Sequence, residues 1–416
     1  MKNLQINAER LWDTIMKTAK FGGTAKGGIC RLTLTDSDRQ VRDWFVKVCE
    51  EIDCTVNIDE MGNIFARRLG KDKTLPPIAM GSHLDTQPSG GKFDGIAGVL
   101  SGLEILRTLS EAGYTTNAPL EVISWTNEEG SRFTPPMLAS GVFANVFDLD
   151  FAYTREDRDG KKFGEELERI GYHGKTKCGN HKLGAYFELH IEQGPVLEAE
   201  DKMIGVVTGV QSQRWYEITV IGRESHAGST PMHLRKDAML ACARMVEEVN
   251  VIALNHAPLA VSTVGLVEVK PNSRNVIPGS VFFSVDLRHP DDSVLSQMDK
   301  ELKVMAGKIT TDMGCELKLE NIWYSPAVKF DEACICAVRA ATEDLGYNHR
   351  DIISGAGHDA VYIARVAPTA MVFIPCEGGI SHNEMEKTEP EQVAAGANVL
   401  LSAVVAHDKA VHGKAA

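Results

Sequence analysis

The sequence predicts an α/β fold in two domains, the first interrupted by a smaller α+β second. Three observations carry this. Short apolar runs ending in Gly, Ser, His or acidic residues alternate with helical patterns in the first half of the chain. After Gly209 the pattern changes to alternating strands and amphipathic helices, and from about Pro326 the first style returns. The 416 residues, 43% of them hydrophobic and 24% charged, suffice for a large core or for two domains.

Taken in order, Val41, Trp44, Phe45 and Val48 recur at helical spacing behind the capping residues Thr35 and Asp36, so an amphipathic helix is expected to open the fold. A polar connector follows. The run Ile78-Ala79-Met80 reads as a buried strand ending at Gly81-Ser82-His83, and Leu120 to Trp125 as another ending before Thr126-Asn127-Glu128-Glu129. Between them Ile96, Val99, Leu100, Leu103 and Leu106 mark one helix face, closed by Gly113, which completes a crossover unit. Asp148 to Gly184 reads as loop plus a short helix, after which Tyr186 to His190 forms a third strand end. Tyr216 to Ile221, Asp237 to Val249, Val281 to Leu287 and Ser293 to Ile309 read as strand, helix, strand and helix of the insert. A helix at Glu332 to Leu345, a strand at Thr369 to Ile374 and a closing helix restore the first domain. The boundaries expected are 1–209 with 326–416 for the first domain and 210–325 for the second.

Composition excludes several functions. Lys and Arg number 44 against 57 Asp and Glu, a net charge of -13, which is the wrong sign for a nucleic-acid partner. The apolar stretch Val393 to Ala406 falls short of the roughly 20 residues a bilayer crossing needs, so no membrane partner is expected. Met1 to Arg10 carries charges and amides where a signal peptide needs an apolar run, and the nine cysteines are scattered without a CxxC pair. A cytoplasmic protein with reduced thiols is expected.

Reactive residue types gather at the strand exits, where open α/β sheets bind ligands. His83, Asp94, Glu129, His190 and His382 are metal-ligand types at element ends. Any one alone reads more simply as a hydrogen-bonded turn residue or helix cap; it is the grouping that points to a metal. Asp85, two positions beyond His83, is expected to accept the imidazole's second N–H and fix its tautomer. Asp94 lies between glycines that let the backbone bend tightly. Glu128 and Glu129 are adjacent carboxylates, costly to bury without a cation or a shared proton; one can bind metal while the other faces a bound water.

Five segments, Met80 to Gln87, Gly91 to Gly95, Thr126 to Phe133, Glu188 to Pro195 and Ser381 to Glu384, together resemble the dinuclear-metal M20 amidohydrolases. The similarity is strongest to the amidase/hydantoinase/carbamoylase group, which includes N-carbamoyl-L-amino-acid hydrolases, β-ureidopropionases and allantoate amidohydrolases. The resemblance implies that Asp94 bridges two divalent ions, with His83 and His190 completing one site and Glu129 and His382 the other. It makes Glu128 the general base. The exopeptidase branch usually has a carboxylate where His190 stands. In the insert, Arg223 to Gly228 resembles a lid-domain motif whose His226 holds the scissile carbonyl oxygen, and the segments around Asn275 and Arg288 resemble those that bind the substrate carboxylate. Gln193 and Gly357 match the remaining substrate contacts.

The reaction so implied is hydrolysis of a ureido C–N bond in a small ureido acid. Allantoate is the alternative substrate, and a dipeptidase or a catalytically silent metal-dependent binding protein are the further readings. Zn, Mn, Co and Ni suit the ligand set about equally. The resemblance also implies a homodimer formed through the insert and a lid that opens and closes.

Overall fold

The computed structural model describes residues 4–413. The chain divides into two compact units, one ending at Gly209 and resuming at Lys329, the other spanning Val210–Val328. Among the described residues no helix is long and apolar enough to cross a membrane.

In the first unit four strands lie side by side and parallel, in the order Leu120–Trp125, Ile78–His83, Ala185–Ile191 and Thr369–Ile374. Each is buried along its whole length, as strands covered on both faces must be. Antiparallel strands extend the sheet, Ile64–Arg68 and Thr55–Ile58 on one side and Ile204–Val210 on the other. The helix Ile96–Glu111 crosses between the first two sheet partners and buries nearly every residue. Its close approach depends on Gly98, where a Cβ would stand 2.4 Å from the Leu189 carbonyl oxygen. The closing helix runs Pro390–His412, with a proline in its first turn and a capping box between Glu389 and Gln392. Because the four central strands are parallel, their carboxyl ends and the loops leaving them lie along one edge of the sheet.

Several elements differ from the sequence expectation. A helix at Ala8–Thr18, capped by Asn7, precedes the one expected to open the fold, which itself runs Asp36–Glu50. Its buried stripe is only Leu11, Thr14, Ile15 and Thr18, too mixed to stand out as a period. The expected polar connector holds the hairpin Thr55–Ile58 and Ile64–Arg68, in which Arg67 leaves the core to pair with Glu121 at 2.6 Å. The segment expected to contain one short helix contains two, Leu149–Tyr153 and Phe163–Arg169. His349–Ser354 is a strand that was not expected.

The second unit is an antiparallel sheet in the order Val267–Lys270, Ser280–His289, Ser212–Ile221 and Glu316–Ser325, with Val261–Thr263 also paired to Ser280–His289. Tyr216, Ile218 and Val220 alternate with exposed or half-buried residues, and so do Val281, Phe283, Val285 and Leu287. Their inward side chains pack with Ala241, Met245 and Val249 of the helix Ala238–Asn255 and with Leu295, Met298 and Leu302 of the helix Asp292–Asp312. The strand Glu316–Ser325 was not expected, because it lies at a sheet edge with no residue buried and its alternation shifts at a bulge between Asn321 and Trp323.

One buried ion pair ties the helix Asp36–Glu50 to the strand exits. Arg42 Nε lies 2.8 Å from Asp38 Oδ2 with both side chains fully buried, and the same guanidinium donates to the Gly62 carbonyl and to Thr126 Oγ1. Arg42→Ala leaves Asp38 charged and unpaired, and is expected to cost about 3–5 kcal/mol in urea unfolding followed by circular dichroism. A loss under about 1 kcal/mol would show that water solvates Asp38 and that the pair is not structural.

Candidate metal centre

The parallel strands deliver the site. His83 ends the strand Ile78–His83, His190 stands near the end of Ala185–Ile191, and Glu128 and Glu129 follow Leu120–Trp125. Asp94 precedes the crossover helix, and His382 lies in the loop beyond Thr369–Ile374. These residues converge. His83 Nε2 and His190 Nε2 lie 3.5 and 3.1 Å from Asp94 Oδ1, and His382 Nε2 lies 3.4 Å from Asp94 Oδ2 and 3.4 Å from Glu129 Oε2. Ligand atoms of His83, Asp94 and His190 form one group compact enough to hold an ion, and those of Asp94, Glu129 and His382 form another. Glu128 Oε2 sits beside the first, 3.4 Å from His83 Nε2.

Proton placement tests whether a cation fits. His83 Nδ1 is 2.9 Å from the Asp85 carbonyl oxygen and His190 Nδ1 is 2.9 Å from that of Ile191. A carbonyl only accepts, so each ring carries its proton on Nδ1 and aims the Nε2 lone pair at the same Asp94 oxygen. Lone pairs facing a carboxylate at this range repel unless a proton or a cation lies between them. The Gly95 amide lies 3.1 Å from His190 Nε2, placed to donate to that nitrogen when it is unprotonated. Two imidazoles, a shared aspartate and a further carboxylate form a donor set suited to a divalent transition metal.

Here the expectation for Asp85 is corrected. Its carbonyl, not its carboxylate, fixes the His83 tautomer; the nearer carboxylate oxygen is 3.9 Å away. The carboxylate instead accepts, at 3.4 Å each, the backbone amides of Glu128 and Glu129. The backbone after His83 brings the Asp85 carbonyl to the ring and leaves the side chain facing the neighbouring strand exit.

Burial shapes the charges. Glu128 is held well above the ordinary carboxylate range by burial and by the negative charges of Asp359, Glu129 and Asp94, against the opposing effect of His83. Glu129 is raised in the same way by burial and by Asp94. Burial disfavours a charged His83, but Glu128, Asp94, Asp85 and Glu129 outweigh it and raise its pKa. Without a metal, a second proton on Nε2 of His190 and His83 takes the place between ring and carboxylate, and the hydrogen bonds and charge so supplied hold Asp94 well below the usual value against its desolvation. His83 and His190 are 1% exposed, whereas the His382 side chain is 51% exposed, so the two groups differ sharply in access to water.

Loop geometry is exacting. Asn127, Gln193 and His382 all have positive φ, at 61°, 57° and 54°, a conformation costing of order 1–3 kcal/mol for non-glycine residues. Asn127 offsets part of this through a hydrogen bond from its side chain to the Phe133 carbonyl. Gly95, with φ of 66°, leaves no room for a side chain, since a Cβ would lie 2.2 Å from His83 Nε2.

Three residues beyond the expected set belong to this centre. Gln87 clamps both oxygens of Glu129, through its backbone amide at 3.0 Å and its side-chain amide at 2.7 Å. Ser381 Oγ donates to Asp94 Oδ2 at 2.8 Å, and Glu386 accepts the amides of Phe93 and Asp94. Gln87 and Glu386 lie within a few positions of Asp85 and His382, and that proximity was the only signal in the sequence. Gln193 donates to Asp94 Oδ2 at 2.8 Å, while its Oε1 has no hydrogen-bond partner in the protein. Behind His190, Glu188 and His358 form another group of ligand types, but Glu188 is hydrogen-bonded by Ser82, Tyr186 and the Ala360 amide. Gly357 lies in the loop between His349–Ser354 and the helix Asp359–Ile363, packed near Met137.

Within the second unit, His226 and Asn275 come together, since His226 pairs with Val276 and the Ala227 amide donates to the Asn275 carbonyl. His226 Nδ1 accepts the amides of Gly228 and Ser229 at 3.1 and 3.2 Å, which places the ring proton on Nε2. Arg288 lies further along, on Ser280–His289, where its guanidinium grips Asp286 with Nη2 at 2.7 Å from Oδ2.

Residues 79–406 match the profile of the peptidase family M20/M25/M40. The N-carbamoyl-L-amino-acid amidohydrolase of Rhizobium meliloti is 51% identical over 404 residues, 97% of each protein. The allantoate amidohydrolase of Bacillus subtilis is 33% identical over 392 residues, 93% of this chain and 95% of that one. The crystal structure of an amidase of the hydantoinase/carbamoylase family from Burkholderia multivorans is similar with a TM-score of 0.94 at 58% identity, over 97% of this chain and 98% of that one. With likeness of this degree along nearly its whole length, added to a strand-end cluster of histidines and carboxylates that could hold a metal, the chain belongs to the metal-dependent M20/M25/M40 family, in its hydantoinase/carbamoylase branch of amidohydrolases.

Proposed function

We propose that this protein hydrolyses the carbamoyl C–N bond of N-carbamoyl-L-amino acids or N-carbamoyl-β-alanine, releasing the amino acid, ammonia and carbon dioxide. The observation that carries the reading is the pair of ligand groups sharing Asp94, with Glu128 beside them. Two divalent ions per subunit, Zn, Mn, Co or Ni, would be held by His83, Asp94 and His190 and by Asp94, Glu129 and His382. When bound, they would supply Lewis acidity toward the ureido carbonyl and lower the pKa of water.

The protein's own groups do the rest. Glu128, whose Oε2 lies beside the first ligand group, takes a proton from the attacking water and returns it to the departing nitrogen. Asp85 is a positioning residue that holds the Glu128 and Glu129 backbone. His226 presents Nε2–H as a donor for the charge that develops on the carbonyl oxygen. Arg288, kept oriented by Asp286, and Asn275 take the substrate carboxylate. Gln193 would meet the substrate through its unpartnered Oε1, and Gly357 by its bare backbone.

All nine cysteines are free thiols, which supports a reducing, cytoplasmic setting. A homodimer formed through the second unit completes the reading. Its helices expose Leu254 at 64% and Val304 at 72%, surface that a subunit contact would cover.

Glu128→Gln keeps shape and removes the base, so turnover is expected to fall by about 10²–10⁴-fold with metal content by mass spectrometry unchanged. Retention of turnover within about tenfold would remove Glu128 from the role of base. Asp94→Asn weakens both ligand groups at once and is expected to abolish metal binding and turnover together; intact binding of two ions would contradict a shared aspartate. Ammonia release should be fastest with carbamoyl amino acids when these are compared with allantoate, and dipeptide cleavage should be slower still. Faster release from allantoate would favour the Bacillus subtilis-like alternative, faster dipeptide cleavage would favour a peptidase, and inactivity on all substrates would favour a binding protein.

A further inference from the structure

Glu386 is not one of the ligand residues, yet it joins the two loops that carry Asp94 and His382. We propose that Glu386 is a positioning residue that holds Asp94 in place for metal binding, gripping its backbone with one carboxylate oxygen and Ser381 with the other. This rests on the reading of Asp94 and His382 as metal ligands.

Glu386 is 6% exposed. Its Oε1 accepts the backbone amides of Phe93 at 2.9 Å and Asp94 at 3.1 Å. Its Oε2 lies 3.1 Å from Ser381 Oγ, which is 2.8 Å from Asp94 Oδ2. Ser381 has one hydroxyl proton for the two carboxylates it lies between, so Glu386 holds Asp94 chiefly through its main-chain amide and keeps Ser381 beside its side chain. The Glu386 backbone amide closes a turn onto the Asn383 carbonyl, so the same residue also anchors the loop of His382. The fit is tight: a Cβ on Gly91 would lie 2.1 Å from the Glu386 carboxyl carbon, and glycine there lets the carboxylate reach the amides. Packing alone would not favour a second buried acid beside Asp94, since the two repel. What Glu386 supplies is an acceptor rigid enough to fix the ligand loop, as outer groups of metal sites do.

Glutamine distinguishes positioning from charge. In Glu386→Gln the side-chain oxygen still accepts both amides, and the new N–H donates to Ser381 Oγ, which leaves the serine proton for Asp94. Glu386→Ala removes every contact. Equilibrium dialysis of the full-length protein against Zn²⁺, with visible spectra of the Co²⁺-loaded form, reads the effect without turnover. Glu386→Gln is expected to bind within about threefold of the parent with the parent spectrum, and Glu386→Ala to bind about 10–100-fold more weakly with a shifted spectrum. Parent-like binding and spectrum in folded Glu386→Ala would overturn the proposal, as would equal weakening in a Glu386→Gln protein that melts like the parent. Should Glu386→Ala fail to fold, Ser381→Ala removes one arm alone and is expected to weaken Zn²⁺ binding; no change there would overturn the proposal. Absence of metal binding by the parent itself would instead overturn the metal-centre reading on which the proposal stands.

Discussion

Two imidazole lone pairs directed at one carboxylate oxygen are the constraint on which the rest of this structure depends. The carbonyls of Asp85 and Ile191 take the Nδ1 protons of His83 and His190, so neither ring can turn its proton toward Asp94 without losing a buried hydrogen bond. All three side chains are buried, which makes an uncompensated arrangement costly. A metal ion among the three groups, or in its place a second proton on each ring, resolves the conflict. The opposite oxygen of Asp94 lies 3.4 Å from His382 Nε2 and groups with Glu129, a second set of candidate ligand atoms.

The fold serves this contact by bringing distant segments to one sheet edge. Parallel strands place His83, His190 and the Glu128-Glu129 pair at neighbouring exits, and the crossover helix, pressed close at Gly98, sets Asp94 over them. The connecting loops accept left-handed conformations at Asn127, Gln193 and His382. Strain of this kind persists only where surrounding contacts over-determine the backbone. Here those contacts include the Asn127 side chain on Phe133, Gln87 on Glu129, and Glu386 on the amide of Asp94. Arg42 and Asp38 brace the same exits from below through Thr126.

Much of this was legible in the amino-acid order. The buried strands and the crossover helix announce themselves by unbroken apolar runs and a clear helical period, and the candidate ligand residues stand where those runs end. What was not legible follows from weak local signals. The helix Ala8–Thr18 buries a stripe half made of threonine, and the strand Glu316–Ser325 lies at an edge with no residue buried and its alternation broken by a bulge between Asn321 and Trp323. Asp85 was expected to reach His83 with its carboxylate, because side chains two apart in an extended segment share a face; the backbone after His83 presents the carbonyl instead. Gln87 and Glu386 act through backbone amides and carboxylate oxygens, contacts that depend on loop conformation and leave no period to read.

Anomalous diffraction from crystals of the protein grown with Zn²⁺ tests the central claim most directly. The account predicts two peaks, one about 2.0–2.2 Å from ligand atoms of His83, Asp94 and His190 and one at the same range from Asp94, Glu129 and His382. Peaks located away from Asp94, or a well-ordered centre in which both histidines contact Asp94 with no ion between them, would contradict it.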